Sequence, residues 1–240
     1  MMSSMRRFWD NASVDPQPAG FTIMLDAKPM RIPGGAPLLV QGEALAHAIA
    51  AEWQAAGSAK GGAMTMDDVP LTRLAGTAQD RIAPDPGPVA TELARYAETD
   101  LLCYRAAHPE LLVIRQARAW QPWLDWLAQR HGARLEPREG IVFLPQDGAA
   151  LSRVHQVMAA QTPAALAALG IAIPVLGSAV LGLALADGAL TAEQAHALAH
   201  VDELFQVEAW GEDTEARRRR DAVAADVLVA ERFLRLSAAP

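Results

Sequence analysis

Along residues 20–41 apolar and polar positions alternate: Phe21, Ile23 and Leu25, then Met30 and Ile32, then Leu38 and Val40, with Gly34-Gly35 and Pro37 between them. A period of two with glycine and proline breaks predicts short antiparallel strands joined by tight turns. The period then changes. From Glu43 to Ala56 the positions Leu45, Ile49 and Trp53 recur every fourth residue, which predicts a helix closed by Gly57. Residues 58–62 read as a small flexible loop. Pro70 and Pro88 stand at first helical positions, opening helices that run through Arg81 and Glu98.

Downstream the pattern is almost wholly helical. Pro109 opens a segment to Gln129 that Pro122 strains or kinks. Residues 135–144 fit a small hairpin through Glu139-Gly140. From Ala149 onward helix patterns repeat between glycine and proline stops, and in the last of them Val223, Val227, Ala230 and Leu234 form a core-facing stripe. The fold class is therefore α+β. A small β-rich N-terminal domain, residues 1–70, ends in a helix, and a larger, mostly α-helical C-terminal domain spans 71–240. The pattern brackets the boundary between Ala56 and Pro84.

One helical segment is unusually acidic and aromatic: Val201-Asp-Glu-Leu-Phe-Gln-Val-Glu-Ala-Trp-Gly-Glu-Asp-Thr-Glu-Ala216. Asp202 and Gln206 lie one turn apart on one face, while Leu198, Val201 and Phe205 (or Leu204) make an apolar stripe. Gly211 is suited to end this helix in a left-handed conformation, and Asp213 to cap the next, whose first turn carries Glu215. Spacing alone leaves two readings open, a solvated helix-turn-helix corner or a binding surface.

Composition narrows the field. The chain has 240 residues, 51% of them hydrophobic, enough for a substantial core. Its formal net charge of −7 argues against a phosphate-binding surface. The run Arg217-Arg-Arg-Arg220 follows Glu212, Asp213 and Glu215, so local pairing accounts for it and no nucleic acid is expected. The single cysteine, Cys103, rules out an intrachain disulfide and fits a reducing compartment. Residues 161–186 carry no charge, yet Pro163, Gly170, Pro174, Gly177 and Gly182 interrupt them. Short buried helices are predicted there, not a membrane span. The first nine residues have no apolar signal core and are too short for a transit peptide, so a soluble protein is expected.

No catalytic constellation emerges. Cys103 sits in an apolar turn beside Leu101 and Leu102 and reads as a structural thiol. Ser178 follows Gly177 without the nucleophile-elbow pattern. His196 and His200 have metal-ligand spacing, but Ala197 stands where a zinc protease carries its glutamate, so they read as surface histidines. No phosphate-cradling loop is present, and neither metal nor cofactor is expected. Asp80, Asp100, Glu203 and Glu208 remain as carboxylates for an acid–base pair, which keeps a small-molecule hydrolase or isomerase as an alternative. A binding surface reads more naturally, because there are six tryptophans against seven Tyr and Phe together. Trp120, Trp123 and Trp126 share one helix side and read as core. Trp53, at the end of its helix, and Trp210, at the acidic corner, are the interface candidates.

The sequence Asp202-Glu-x-x-Gln206-x-x-x-Trp210-Gly-Glu-Asp-x-Glu-Ala216 resembles the C-terminal signature of the ATP12 family, assembly chaperones for the F1 part of ATP synthase. Arg7-Phe8-Trp9, Gly20 to Asp26, Arg31-Ile-Pro33, Ala51-Glu52-Trp53, Pro70 to Leu74, Asp80-Arg81, Arg95 to Arg105, Gln116 to Trp126 and Gly177 to Leu185 follow in the family's order. The resemblance thus runs from about Arg7 to Leu236. Ala27-Lys28 and Gln121-Pro122 depart from the Gly-Arg and Asp-Pro expected there, which bears on single positions and not on the family. The resemblance implies a two-part architecture and a non-enzymatic, ATP-independent chaperone. It would bind the unassembled F1-ATPase α subunit until the β subunit competes for the same surface, would itself be a monomer when free, and would have its organellar counterparts in the mitochondrial matrix. Client contacts are expected through Trp53, Glu203, Gln206, Glu208, Trp210, Glu212, Asp213 and Glu215, with carboxylates meeting basic or amide groups. A general holdase is the neighbouring possibility.

Overall fold

The alternation in residues 20–41 becomes the centre of a small antiparallel sheet. A computed structural model describes residues 5–32, 35–143 and 145–238, so Pro33, Gly34 and Leu144 of the predicted turn and hairpin lie outside the described residues. Strands β1 (Met5–Arg6), β2 (Ala12–Gln17), β3 (Gly20–Leu25), β4 (Lys28–Pro29), β5 (Leu39–Val40) and β6 (Ala63–Met64) belong to the N-terminal region. β3 is central: it pairs with β2 in the register Val14↔Ile23, with β4, and with β5 in the register Phe21↔Val40. β1 pairs with β6 apart from that sheet. β2 is not legible in the apolar pattern because Pro16 interrupts it; as an edge strand it tolerates the missing N–H. Gly20 is required where β2 turns into β3, since a Cβ there would lie 2.4 Å from the Val40 carbonyl oxygen at a φ of +137°.

Helix α1 (Glu43–Ala55) lies against β2 and β3 and buries Leu45, Ile49 and Trp53, the predicted stripe. Its C-terminal carbonyls are satisfied by a buried arginine. Arg7 donates to the main-chain oxygens of Gln54 (2.7 Å) and Ala56 (3.3 Å), and also to those of Trp9 and Asp10. A guanidinium there answers both the orphan carbonyls and the negative end of the helix dipole. α2 (Pro70–Thr77), continued by a π turn over Ala78–Ile82, begins at Val69, which cannot cap. Glu52 of α1 does so instead, accepting from Leu71 N at 2.9 Å and Thr72 N at 3.2 Å. Burial pushes this carboxyl up against those hydrogen bonds.

Those contacts move the boundary between the two parts. One unit comprises residues 1–85 with 163–168 and 232–240, the other 86–162 with 169–231. The helix opened by Pro70 therefore belongs with the sheet, and the first unit reaches Asp85 where an end at residue 70 was expected. Its start is held to α1 by the Glu52 cap and by the Trp53 indole N–H donating to Thr72 Oγ1 at 2.8 Å.

The second unit is helical: α3 (Gly87–Ala94), α4 (Glu110–His131), α5 (Gly148–Ala159), the later turns of α6 (Pro163–Leu176), α7 (Ala179–Ala186), α8 (Ala192–Ala199), α9 (Val201–Trp210) and most of α10 (Thr214–Ala238). The uncharged stretch resolves into α6 and α7, parted at Gly177-Ser178. Among the described residues no helix is long and apolar enough to cross a membrane. Gly182 permits their close packing, because a Cβ there would meet Ile173 Cγ1 at 2.3 Å. Among the described residues 135–143 no two segments pair with each other as the predicted hairpin would. Residues Arg138–Glu139 (β8) pair in parallel with Tyr104–Arg105 (β7), and Gly140 N donates to Arg105 O at 2.8 Å. The Glu136 main chain is met by the Gln146 amide, which both donates and accepts there, so a side chain stands in for a second strand.

The start of α7 is fixed by Asp100, which is fully buried. It accepts from Ser178 Oγ at 2.8 Å, from Val180 N at 3.1 Å and from Leu102 N at 3.1 Å. Burial outweighs these bonds and raises its carboxyl from 3.8 to about 6. An acid raised in the folded state contributes stability in its protonated form; that contribution is full below the unfolded value and is lost as pH rises through the folded value. The Asp100 contribution to the unfolding free energy is therefore expected to fall by roughly 3 kcal/mol between about pH 4 and pH 6. In Asp100→Asn, which is less stable throughout because its amide faces N–H donors, that slope should be absent. Denaturant titrations of both proteins across this range check it.

Candidate functional site

The acidic segment folds as the sequence pattern anticipates, into α9, a sharp corner and α10. Gly211 turns the chain at φ +88°, and Asp213 caps α10 by accepting from Ala216 N at 2.8 Å. The corner is locked by a residue that the sequence reading treated only as part of a charged run. Arg220 is buried, its side chain 6% exposed, and it reaches back to both sides of the corner. Nη1 bonds Glu203 Oε1 of α9 at 2.6 Å, and Nη2 bonds Glu212 Oε1 of the turn at 2.7 Å. The planar fork of a guanidinium spans two carboxylates as a point-like ammonium does not. Arg220 O in turn meets His196 Nε2 at 3.0 Å, and His200 Nδ1 lies 2.8 Å from His196 O. The two histidines are half-buried parts of this joint and not the surface residues expected; burial, with His200 adjacent, holds His196 below the usual imidazole range. Among the described residues no three His, Cys, Asp or Glu side chains gather as a metal would need.

The end of α8 and α9 after it are docked on α4 in an antiparallel register. Trp120 Nε1 donates to Leu198 O at 2.8 Å, and Gln116 Nε2 donates to Asp202 Oδ1 at 2.7 Å. Farther along, Arg115 grips Glu208 with two bonds of 2.8 and 2.7 Å and lies over the Phe205 ring. The Arg115 hydrogen bond holds the Glu208 carboxyl below its usual range. Continued by one turn, the same register brings Leu111, at the start of α4, level with the end of α9. Leu111 is 72% exposed and Trp210 is 80% exposed.

The residues expected to meet a partner thus divide. Trp210, Gln206 and Glu215 face solvent. Glu203 and Glu212 are bound to Arg220, Glu208 to Arg115, and Asp213 to the α10 backbone. These four shape the corner more directly than they offer free charge. Trp53 is a correction: it is 7% exposed, packs on Trp9 with ring centroids 4.9 Å apart, and belongs to the core of the first unit. Its place at the last turn of α1 suggested a surface, but α1 is followed at once by the segment that packs α2 over it. Trp120 is fully buried, as expected for core.

The carboxylates considered for acid–base chemistry do not form a pair. Asp100 is sealed beneath α7, Glu203 and Glu208 are salt-bridged to different arginines, and Asp80 lies on the surface of the first unit. Cys103 is buried, and burial pushes its thiol up to about 12, well away from a nucleophile. Two exposed apolar features escaped the sequence reading. One is Leu111 with Ile114; the other is the tip Ile141-Val142-Phe143, where Ile141 is 93% exposed. Each had a signal. In Leu111-Leu-Val-Ile114 four consecutive apolar residues outnumber what one helix face can bury, and only Leu112 turns fully inward.

Comparison with known proteins identifies relatives of the chain. A family model described as ATP12 chaperone protein matches residues 6–128. The chain is 26% identical over 219 residues to the mitochondrial protein atp12 of Schizosaccharomyces pombe, spanning 87% of this chain and 74% of that protein. The crystal structure of Atp12 from Paracoccus denitrificans superposes with a TM-score of 0.90 at 40% identity, covering 97% of this chain and 98% of that one. A protein of Agrobacterium tumefaciens, described as a candidate chaperone, does so with a TM-score of 0.88 at 40% identity, covering 97% of this chain and 86% of that one.

Removing the clamp should loosen the corner. Arg220→Met is expected to cost roughly 2 kcal/mol, less than a fully buried pair because both carboxylates keep partial access to water. Arg220→Lys should recover little, since one ammonium cannot bridge both. Trp210→Ala, by contrast, should leave stability unchanged within about 0.5 kcal/mol. Urea denaturation of the three variants measures this directly.

Proposed function

The chain belongs to the ATP12 chaperone family, and we propose that it is an ATP-independent assembly chaperone that holds the unassembled F1-ATPase α subunit before α meets β. An isolated subunit of a ring exposes surfaces that its neighbours will bury, and these drive aggregation. A binder that covers such a surface lowers the concentration of the sticky form by mass action, without a nucleotide cycle. Release then requires only a competitor for the same surface. The bacterial cytoplasm is the proposed setting, the one in which α subunits are made.

The observation that carries the reading is Trp210. An indole left 80% exposed on a corner held by two salt-bridged arginines has no folding role to explain it. A large, rigid aromatic supplies contact area at little entropy cost, and Trp is enriched among the residues that dominate interfaces. Leu111 and Ile114 on α4 extend the apolar area at that end of α9, and Gln206 and Glu215 give it a polar rim. Client binding is assigned to this patch, with Glu203, Glu208, Glu212 and Asp213 acting by fixing its shape. A general holdase would need a broader and less polar surface.

Co-expression with the cognate α subunit, followed by size exclusion of the soluble fraction, tests the proposal. The wild-type chain should yield a co-eluting complex and rescue α from the pellet. Trp210→Ala should weaken capture by at least about tenfold, the range of an interface anchor. An α subunit that behaves identically with and without the chaperone would refute the reading. Equal rescue of unrelated aggregating proteins would favour the holdase.

A further inference from the structure

The first unit contains two adjoining cavities, of about 430 and 780 Å³, that share Met5, Met30, Arg31 and Trp53 in their walls. Their floor is apolar and rich in thioether: Met5, Met30, Met64 and Met66 are four of the eight methionines in the chain. Unbranched, polarisable side chains of this kind let one surface accept differently shaped apolar groups. The walls also hold Arg6, Lys28, Arg31, Arg73 and Arg81 against one carboxylate, Asp80. That balance opposes the net charge of −7 carried by the whole chain. Two of these cations donate to carbonyls, Arg6 to Gly61 O and Arg31 to Gly35 O, so their positive charge is positioned without being cancelled. Arg73 pairs with Asp67. Neither the fold of the unit nor the α9–α10 corner requires this excess.

We propose that this groove is a second docking site, and that its occupant is an extended polypeptide segment carrying large apolar side chains flanked by Asp or Glu. Each cavity holds a side chain or two and is far too small for a folded domain. The methionines would receive the apolar groups, and the cationic rim would meet the carboxylates while their stems cover the apolar flanks. Trp53 is only 7% exposed, yet it is among the residues that line both cavities. As a contact for the client, the site rests on the chaperone reading; as a binder of acidic, apolar segments it does not.

The test uses the full chain and fluorescence anisotropy of two short labelled peptides, one of leucines spaced by glutamates, its counterpart with lysines. The glutamate peptide should bind saturably and the lysine peptide at least about tenfold more weakly. Arg31→Glu combined with Arg81→Glu should lower affinity for the glutamate peptide by about tenfold, with an unchanged unfolding transition, since both side chains are exposed. If that pair disturbs folding, Arg6→Glu with Lys28→Glu on the other cavity makes the same test. Equal binding of both peptides, binding of neither, or full binding by the reversed variants would overturn the proposal. So would charge-dependent binding to phosphatidylglycerol vesicles without binding to the glutamate peptide. Running the α-capture assay on the same variants separates the two ideas. Capture by wild type that the reversals do not weaken leaves the chaperone reading standing and removes the groove as a client contact. Selective peptide binding without α capture keeps the groove and removes α as its source.

Discussion

The α9–α10 corner depends on one buried guanidinium. Arg220 joins Glu203 on one side of the turn to Glu212 on the other, and neither bond exceeds 2.7 Å. Burying a cation is costly, and a pair of carboxylates that stay partly in water offsets that cost without adding much net stability. What the arrangement supplies is position. With Arg220 and Arg115 engaged, three of the carboxylates in an apparently available acidic patch are internally neutralised. What remains facing outward is an indole with a polar rim, presented on a frame that does not have to order itself on binding. Less entropy is then lost when a partner arrives.

The first unit repeats the device with different partners. Arg7, 4% exposed, closes the C-terminus of α1 through main-chain carbonyls, and Trp9 donates to Trp53 O at 3.1 Å. Trp53 then bonds Thr72, and Glu52 caps α2. This run of side-chain bonds links the start of the chain to α1 and α2 and fixes the floor of the groove. In both units, a buried arginine and a tryptophan set the geometry of a surface whose exposed chemistry differs: aromatic with a polar rim in one, thioether with a basic rim in the other.

Much of the fold was legible because period and punctuation coincide. The strands at 20–25 and 39–40, the helix from Glu43, the helices opened by Pro70 and Pro88, and the Gly211–Asp213 corner all follow local rules that tertiary structure does not override. The misses share a cause. β2 pairs on an edge and carries proline, β8 takes a distant partner, and residues 70–85 join the first unit through side chains of α1. Pairing across long sequence separations leaves no periodic trace. The same holds for the site. The segment 201–216 and Trp210 stood out by composition, but nothing local tells that Arg220, inside a run of four arginines, is the one turned inward. Nor does spacing distinguish Trp53, which is buried, from Trp210, which is not. That distinction depends on which helix covers which face.

The chemistry of the two units suits a protein that recognises another protein and catalyses nothing on it. Arg7, Arg115, Arg220, Glu52 and Asp213 serve helix ends and salt bridges, and the two surfaces offered to partners combine aromatic, aliphatic and thioether groups with polar rims. The central claim is that a client seats on the corner at α9 and the start of α4. The most direct measurement is amide hydrogen exchange of the chain alone and in its complex with the α subunit. The account predicts slowed exchange in the last turn of α9, the 211–213 turn and the first turns of α4. A stable complex in which those amides exchange as they do in the free chain would contradict it.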